Sequence, residues 1–352
     1  MTAESLAGLR IVSLGGGTGL SSLLLGLKEY VGKQSLDGRP VVEALTAVVT
    51  VTDDGGSSGR LREEFQILPP GDIRNCMVAL AEDEHLLTRL FQYRFESDGH
   101  LHGHSFGNLF LAALAGVTGD FLEAIKVSSE VLAIKGRIIP STAEDITLVA
   151  ELEDGSVVEG ETNITKSRTP IARLMLSHPG CRPLPESISA IAEADIITLG
   201  PGSLYTSILP NLLVPGVVDA IKASSALKIY ICNIMTQPGE TTGFTVEDHL
   251  KVLLDPHPGL GLDYVLVNST PVSPALSGKY RSEGAAQVEM AEGGNVFGRS
   301  AFSGPLVIGQ SRFAVLAADL LSENDVVRHD PHKLARLVLE VHVASKEHAP
   351  AT

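Results

Sequence analysis

Residues Arg10 to Leu20 read RIVSLGGGTGL. Five β-prone residues run into Gly15-Gly16-Gly17-Thr18-Gly19, and apolar residues at helical spacing follow from Leu20 to about Tyr30. Strand, glycine turn and helix in that order form the opening unit of a doubly wound α/β fold. The turn departs from the strict dinucleotide fingerprint: the sixth position is Leu20 counted from Gly15 and Ser22 counted from Gly17. No Gly-Lys-Ser/Thr follows, so it is not a P-loop either. Its physics still suits an anion. Glycines let the backbone approach a phosphate, and a helix start directs free N–H groups and its positive end at it. Gly16, Gly17, Thr18 and Gly19 are therefore candidate phosphate ligands, with hydroxyls from Ser21 and Ser22 beside them.

Outward from this unit, the same alternation recurs. Leu45–Val51, Ile196–Leu199, Leu227–Cys232 and Tyr264–Val267 are short apolar runs with little polar alternation. Strands buried on both faces read this way, as in a parallel sheet, and helical stretches separate most of them. The fold class is α/β: a Rossmann-like, doubly wound, mostly parallel sheet. Between 85 and 185 the pattern changes. Leu109–Ala115 and Phe121–Leu132 read as helices, and Asp154-Gly155 between Ile146–Leu152 and Val157–Glu161 signals a β-hairpin. The expected organisation is one domain over 9–345 carrying an inserted helical and β-hairpin cap at 85–185, with a frayed tail after Ser345.

Composition narrows the function. The chain has 352 residues, 44% hydrophobic and 20% charged, and a net charge of −15. Such acidity argues against nucleic acid or an anionic membrane as a general partner. No apolar run reaches the ~18 residues of a membrane span, and the N-terminus lacks a signal pattern. The three cysteines, Cys76, Cys181 and Cys232, are far apart and suit a reducing compartment. The expected location is the cytoplasm.

A second stretch, VTDDGGSSGRLR at 51–62, places two carboxylates, glycines and two arginines just after a strand. Asp53 and Asp54 sit where acidic residues of these folds meet a ribose or a metal, and paired carboxylates suit Mg²⁺. Arg60 can counter phosphate charge; for Arg62 a surface role competes. Asp72 reads as a helix N-cap, and Asn75 three residues on can reach the same cleft. Gly103-His104-Ser105-Phe106-Gly107 imitates a nucleophile elbow, but loop rather than strand precedes it, which argues against a serine hydrolase. His100, His102 and His104 read as loop residues rather than zinc ligands. Ser105 and Asn108 are better taken as hydrogen-bonding groups at a helix entry. Gly200-Pro201-Gly202-Ser203 forms a second strand–glycine–helix junction, hence a second candidate cradle. Asn233, Thr236 and Gln237 follow the next strand and can read a base or sugar edge. Arg328, in Val327-Arg328-His329-Asp330, is either a surface ion-pair residue or a ligand-closing arginine. The ligand class on which these groups converge is a nucleotide carrying a diphosphate.

Seven motifs in order, GGGTGLSSLL, TAVVTVTDDGGSSGRLR, PPGDIRN, GHSFGN, GPGSLYTSILPNLLVPGV, YICNIMTQPGET and VRHD, resemble the YvcK proteins, or gluconeogenesis factors, of the CofD-like superfamily. The resemblance runs from about Arg10 to Asp330. It implies a regulatory protein that binds UDP-N-acetylglucosamine and links carbon status to cell-wall growth and cell shape, through a protein partner of cell-wall or central metabolism. It also implies that Tyr280, in GKYRSEGA, and Arg328 contact the nucleotide sugar. The superfamily's enzyme branch implies the alternative, a Mg²⁺-dependent 2-phospho-L-lactate transferase. Some relatives carry a phosphorylated threonine after RHD, where this chain has Pro331. A nicotinamide oxidoreductase ranks last, lacking an evident general acid. NAD also carries a diphosphate and fits the cradles as an adventitious ligand. Homo-oligomerisation stays open.

Overall fold

The structure, a computed structural model, describes residues 8–35, 40–82, 86–96, 98–291, 303–309 and 311–347. In chain order the strands are β1 (Leu9–Gly15), β2 (Val42–Val49), β3 (Arg137–Pro140), β4 (Leu148–Leu152), β5 (Val157–Glu159), β6 (Ile171–Leu176), β7 (Ile196–Leu199), β8 (Leu227–Ile231), β9 (Tyr264–Asn268), β10 (Ser303–Ile308), β11 (Ser311–Ala318), β12 (Leu321–Glu323) and β13 (Val327–His329). Eight of them form the central sheet, in the order β10-β11-β9-β8-β7-β1-β2-β3. Every pairing is parallel except β10 with β11 at one edge.

The central strands are apolar because helices cover both faces. Ile11, Val12, Leu14, Ile196, Ile197, Leu199, Ile229 and Ile231 are all buried, odd and even positions alike. The helix Gly17–Leu27 packs between Gly71–Leu80 and Pro331–Glu347. At the last contact Gly26 lies so close to the Pro331 carbonyl that a Cβ there would overlap it. His332 Nδ1 meets Glu29 at 3.2 Å across the same junction.

The hairpin at Asp154-Gly155 is present as β4–β5. With β6 it makes a separate three-stranded antiparallel sheet in the order β5-β4-β6. Two tethers hold this cap to the core. Arg62 is buried and donates to Asp145 Oδ1 (2.8 Å), the Ile146 carbonyl (2.7 Å) and Thr147 Oγ1 (3.0 Å). Asp54 Oδ1 accepts from the Thr162 amide (2.8 Å) and hydroxyl (2.6 Å) at the start of the cap helix Glu161–Lys166. Arg62 is thus a buried strut rather than a surface residue.

Other details depart from the sequence reading. The stretch 85–185 divides, because β3 belongs to the central sheet beside β2. At four residues β3 is too short to carry a pattern. The first helix starts at Gly17, three residues before Leu20, so the glycines themselves are its first turn. The last helix runs to Glu347, and residues 348–352, most of the expected frayed tail, lie outside the described residues. Among the described residues no single helix is long and apolar enough to cross a membrane.

Candidate functional site

From β1 the chain passes to β2 and β3 on one side; later it returns to β7, β8, β9 and β11 on the other. The order therefore reverses between β1 and β7, and ligands of open α/β sheets bind outside the carboxyl ends of strands at such a point. Both glycine turns emerge there. A Cβ on Gly19 would stand 2.6 Å from the Pro201 carbonyl oxygen, so only glycine lets the turns pack this closely. Beyond them opens a cavity of about 470 Å³.

One wall of the cavity is the first turn of the helix Gly17–Leu27. Gly17 has φ +62°, a conformation that disfavours side chains. Its amide donates to the Asp72 carboxylate, while Thr18 and Gly19 line the cavity with N–H groups for which a helix has no internal acceptor. The opposite wall is Gly202, Ser203, Thr206 and Ser207, at a π-helical turn over Leu204–Ile208. Asn211 fastens the two walls, donating to the carbonyls of Gly15 (3.1 Å) and Ser207 (2.8 Å). The loop after β8 adds Asn233, Thr236 and Gln237, with the Thr236 amide donating to the Ala286 carbonyl at 2.7 Å. Tyr280 closes one side. Its hydroxyl accepts from the Val327 amide at 3.0 Å, bringing β13 and the exposed Arg328 to the rim. His329 behind it is buried, and burial lowers its pKa to about 4, so it is neutral.

Glu161 and Glu240 line the same space, and Asp72 lies buried behind the first glycine turn. Burial and the nearby Asp53 carboxylate raise Asp72 to about 7. Burial, then Asp53, Asp72, Glu240 and Asp54, raise Glu161 to about 9. Burial also raises Glu240, which accepts from the Ser203 hydroxyl. Each proton held here lowers the repulsion an incoming phosphate meets.

Gly16, Gly17, Thr18, Gly19, Gly202, Ser203, Asn233, Thr236, Gln237, Tyr280 and Arg328 thus share one cavity. The other candidates lie outside it. Gly200 is buried beneath the second turn. Asn75 lines a neighbouring cavity. Ser105 caps the helix Phe106–Thr118 and accepts from Arg74 at 2.7 Å; Asn108 donates to Ser57 at 3.2 Å. Both serve a buried polar network. Arg60 donates to the His102 carbonyl at 2.7 Å. Asp53 Oδ1 accepts from the Gly55 amide, whereas Asp54 turns to the cap. The two carboxylates therefore do not present as a chelate, and the described residues contain no group of three or more His, Cys, Asp or Glu arranged to hold a metal. Asp72, Glu161 and Glu240 escaped the sequence reading as site residues. Glu240 sits in the quoted QPGET motif; Glu161 reaches the cavity only because the cap folds over it.

A doubly wound α/β protein with a glycine-lined cleft at its topological switch point is the class this geometry defines. The family model described as 2-phospho-L-lactate transferase CofD matches residues 11–306. The gluconeogenesis factor of Bacillus subtilis is 46% identical over 334 residues, covering 94% of this chain and 98% of the relative. That of Halalkalibacterium halodurans is 45% identical over 337 residues, covering 94% and 95%. A crystal structure of a UPF0052 family member from Bacillus halodurans is 44% identical, covers 95% of this chain and 99% of that one, and superposes with a TM-score of 0.83. The chain belongs to the CofD family, in its gluconeogenesis-factor (YvcK) branch.

Proposed function

We propose that the protein is a nucleotide-sugar-binding regulator whose ligand is UDP-N-acetylglucosamine, coupling carbon status to cell-wall growth and cell shape. One observation carries this reading: a single cavity unites both glycine turns, the amide side chains after β8, Tyr280 and Arg328. The helix start and the turn at Gly202 suit the diphosphate, and Asn233 and Gln237 suit the edge of a base or sugar. Arg328 on the rim suits closure over the anion.

Calorimetric titration with UDP-N-acetylglucosamine tests it. Binding should weaken roughly 10- to 100-fold in Arg328→Ala, the effect of losing a charged hydrogen bond worth about 1.5–3 kcal/mol. No heat with any UDP-sugar would reject the reading. The family model's description favours a second reading, phosphoryl-group transfer. Mg²⁺-dependent release of GDP or GMP from a lactyl or enolpyruvyl dinucleotide donor would support that one, and no release at saturating Mg²⁺ would dismiss it.

A further inference from the structure

Beside the main cavity lies a second one of about 370 Å³, and the two meet at Thr18, Ser22 and Arg328. Its floor comes from successive turns of two helices: Ser21, Leu25 and Lys28 follow the first, and Asn75, Val78 and Ala79 the second. Thr88, Arg89 and Gln92 of the helix Leu86–Gln92 form the outer wall.

The two cavities differ in charge. Among the described residues the main one is lined by Glu161, Glu240 and Glu283 and by the cation Arg328. Among the described residues the second is lined by Lys28, Arg89 and Arg328. In a chain of net charge −15, three basic side chains around one small cavity form a local concentration of positive charge. The neutral groups add donors. Asn75 Oδ1 accepts from Arg74, which leaves the Asn75 amide nitrogen as its donor toward the cavity. Lys28 Nζ is placed by the Ala81 carbonyl at 3.0 Å. Leu25, Val78 and Ala79 offer a small apolar surface beneath these groups.

We propose that this basic lobe is a second ligand site, selective for a small phosphorylated or carboxylated metabolite with a short apolar body. The site is separate from the diphosphate cradle and coupled to it through Arg328. Its volume falls within the range of small-molecule pockets, about 300–1,000 Å³. Because one guanidinium borders both lobes, ligands in the two should alter each other's affinity, reciprocally. This goes beyond the nucleotide-sugar reading and does not require it.

Inorganic phosphate is the probe, measured by equilibrium dialysis of the full chain at low ionic strength. Arg89 borders only the basic lobe and is exposed, so its substitution should leave folding intact. Arg89→Glu should weaken phosphate binding at least tenfold and Arg89→Lys by less. Lys126→Glu, the same charge change at an exposed lysine elsewhere, should change it less than twofold. Phosphate should still bind when UDP-N-acetylglucosamine is saturating, with a shifted affinity. Equal binding by Arg89→Glu and the wild type would overturn the proposal. So would an equal loss in Lys126→Glu, which would mean a response to overall charge. If UDP-N-acetylglucosamine fails to bind, the regulator reading falls, while the comparison at Arg89 still decides the second site.

Discussion

Replacing Asp72 by Asn removes an ionisation that the fold opposes. The carboxyl is fully buried, close to Asp53 and bonded to the Gly17 amide, and its pKa rises from 3.8 to about 7. A carboxyl with a raised folded-state pKa stabilises the fold while protonated. The benefit is complete below 3.8, declines as pH rises toward 7, and is lost above it. The shift corresponds to about 4 kcal/mol, of which roughly 2–3 kcal/mol falls between pH 5 and pH 8. Asn keeps the shape and an acceptor for Gly17 but does not titrate. Urea unfolding of both proteins at pH 5, 6, 7 and 8 gives the stability difference directly. Asp72→Asn should gain on the wild type by that 2–3 kcal/mol across the range. Glu161 titrates with the same sign in both proteins, so most of its contribution cancels in the difference. A gap that stays constant from pH 5 to pH 8 would refute the reasoning.

Further expectations follow from the same geometry. If the cradle holds a diphosphate, affinity should rise as pH falls from 8 and level off below 7, by up to about tenfold in all, and the rise should flatten in Asp72→Asn, read by calorimetry. Gly19→Ala drives a Cβ to 2.6 Å from the Pro201 oxygen and should lower stability in thermal unfolding, an overpacking cost of about 1–3 kcal/mol that exceeds the helix-propensity gain. Arg62→Ala leaves the Ile146 carbonyl without its donor and should cost about 1–3 kcal/mol. Hydrogen exchange should show lost protection concentrated in β4, β5 and β6. Cys76 and Cys232 are fully buried, and burial pushes Cys232 up to about 12 and Cys76 higher still. Native protein at pH 8 should therefore react with a thiol reagent far more slowly at these two than unfolded protein does.

The frame of the fold was legible because its strands are buried on both faces. RIVSL and IITL carry no polar alternation, and glycine turns follow both on the side where ligands bind. The register of neighbours was not, since β3 is only four residues long and owes its place to β2, distant in the chain, and β10 is interrupted by a register shift against β11. Residues that line the cavity with backbone could be read directly, as with Gly16–Gly19 and Gly202. Side chains were harder, because the same hydroxyl or amide serves ligand or fold equally well. Ser105 and Asn108 went to a buried network with Arg74 and Ser57, and Asp54 to Thr162, 108 residues away. No local pattern announces such long-range partners. Glu161 was hidden for the same reason: a glutamate opening a cap helix resembles ordinary favourable helix charge until the cap is seated over the cavity.

The packing of Gly26 against Pro331 has a consequence for how this protein is made. The helix Gly17–Leu27 leaves the ribosome among the earliest segments, yet the surface that braces it, Pro331–Glu347, is translated near the end. Until then its apolar flank has no permanent cover, and chaperones would find their binding site there. Nascent chains stalled before codon 331 should thus remain protease-sensitive at the glycine turn, however well the intervening strands have already paired.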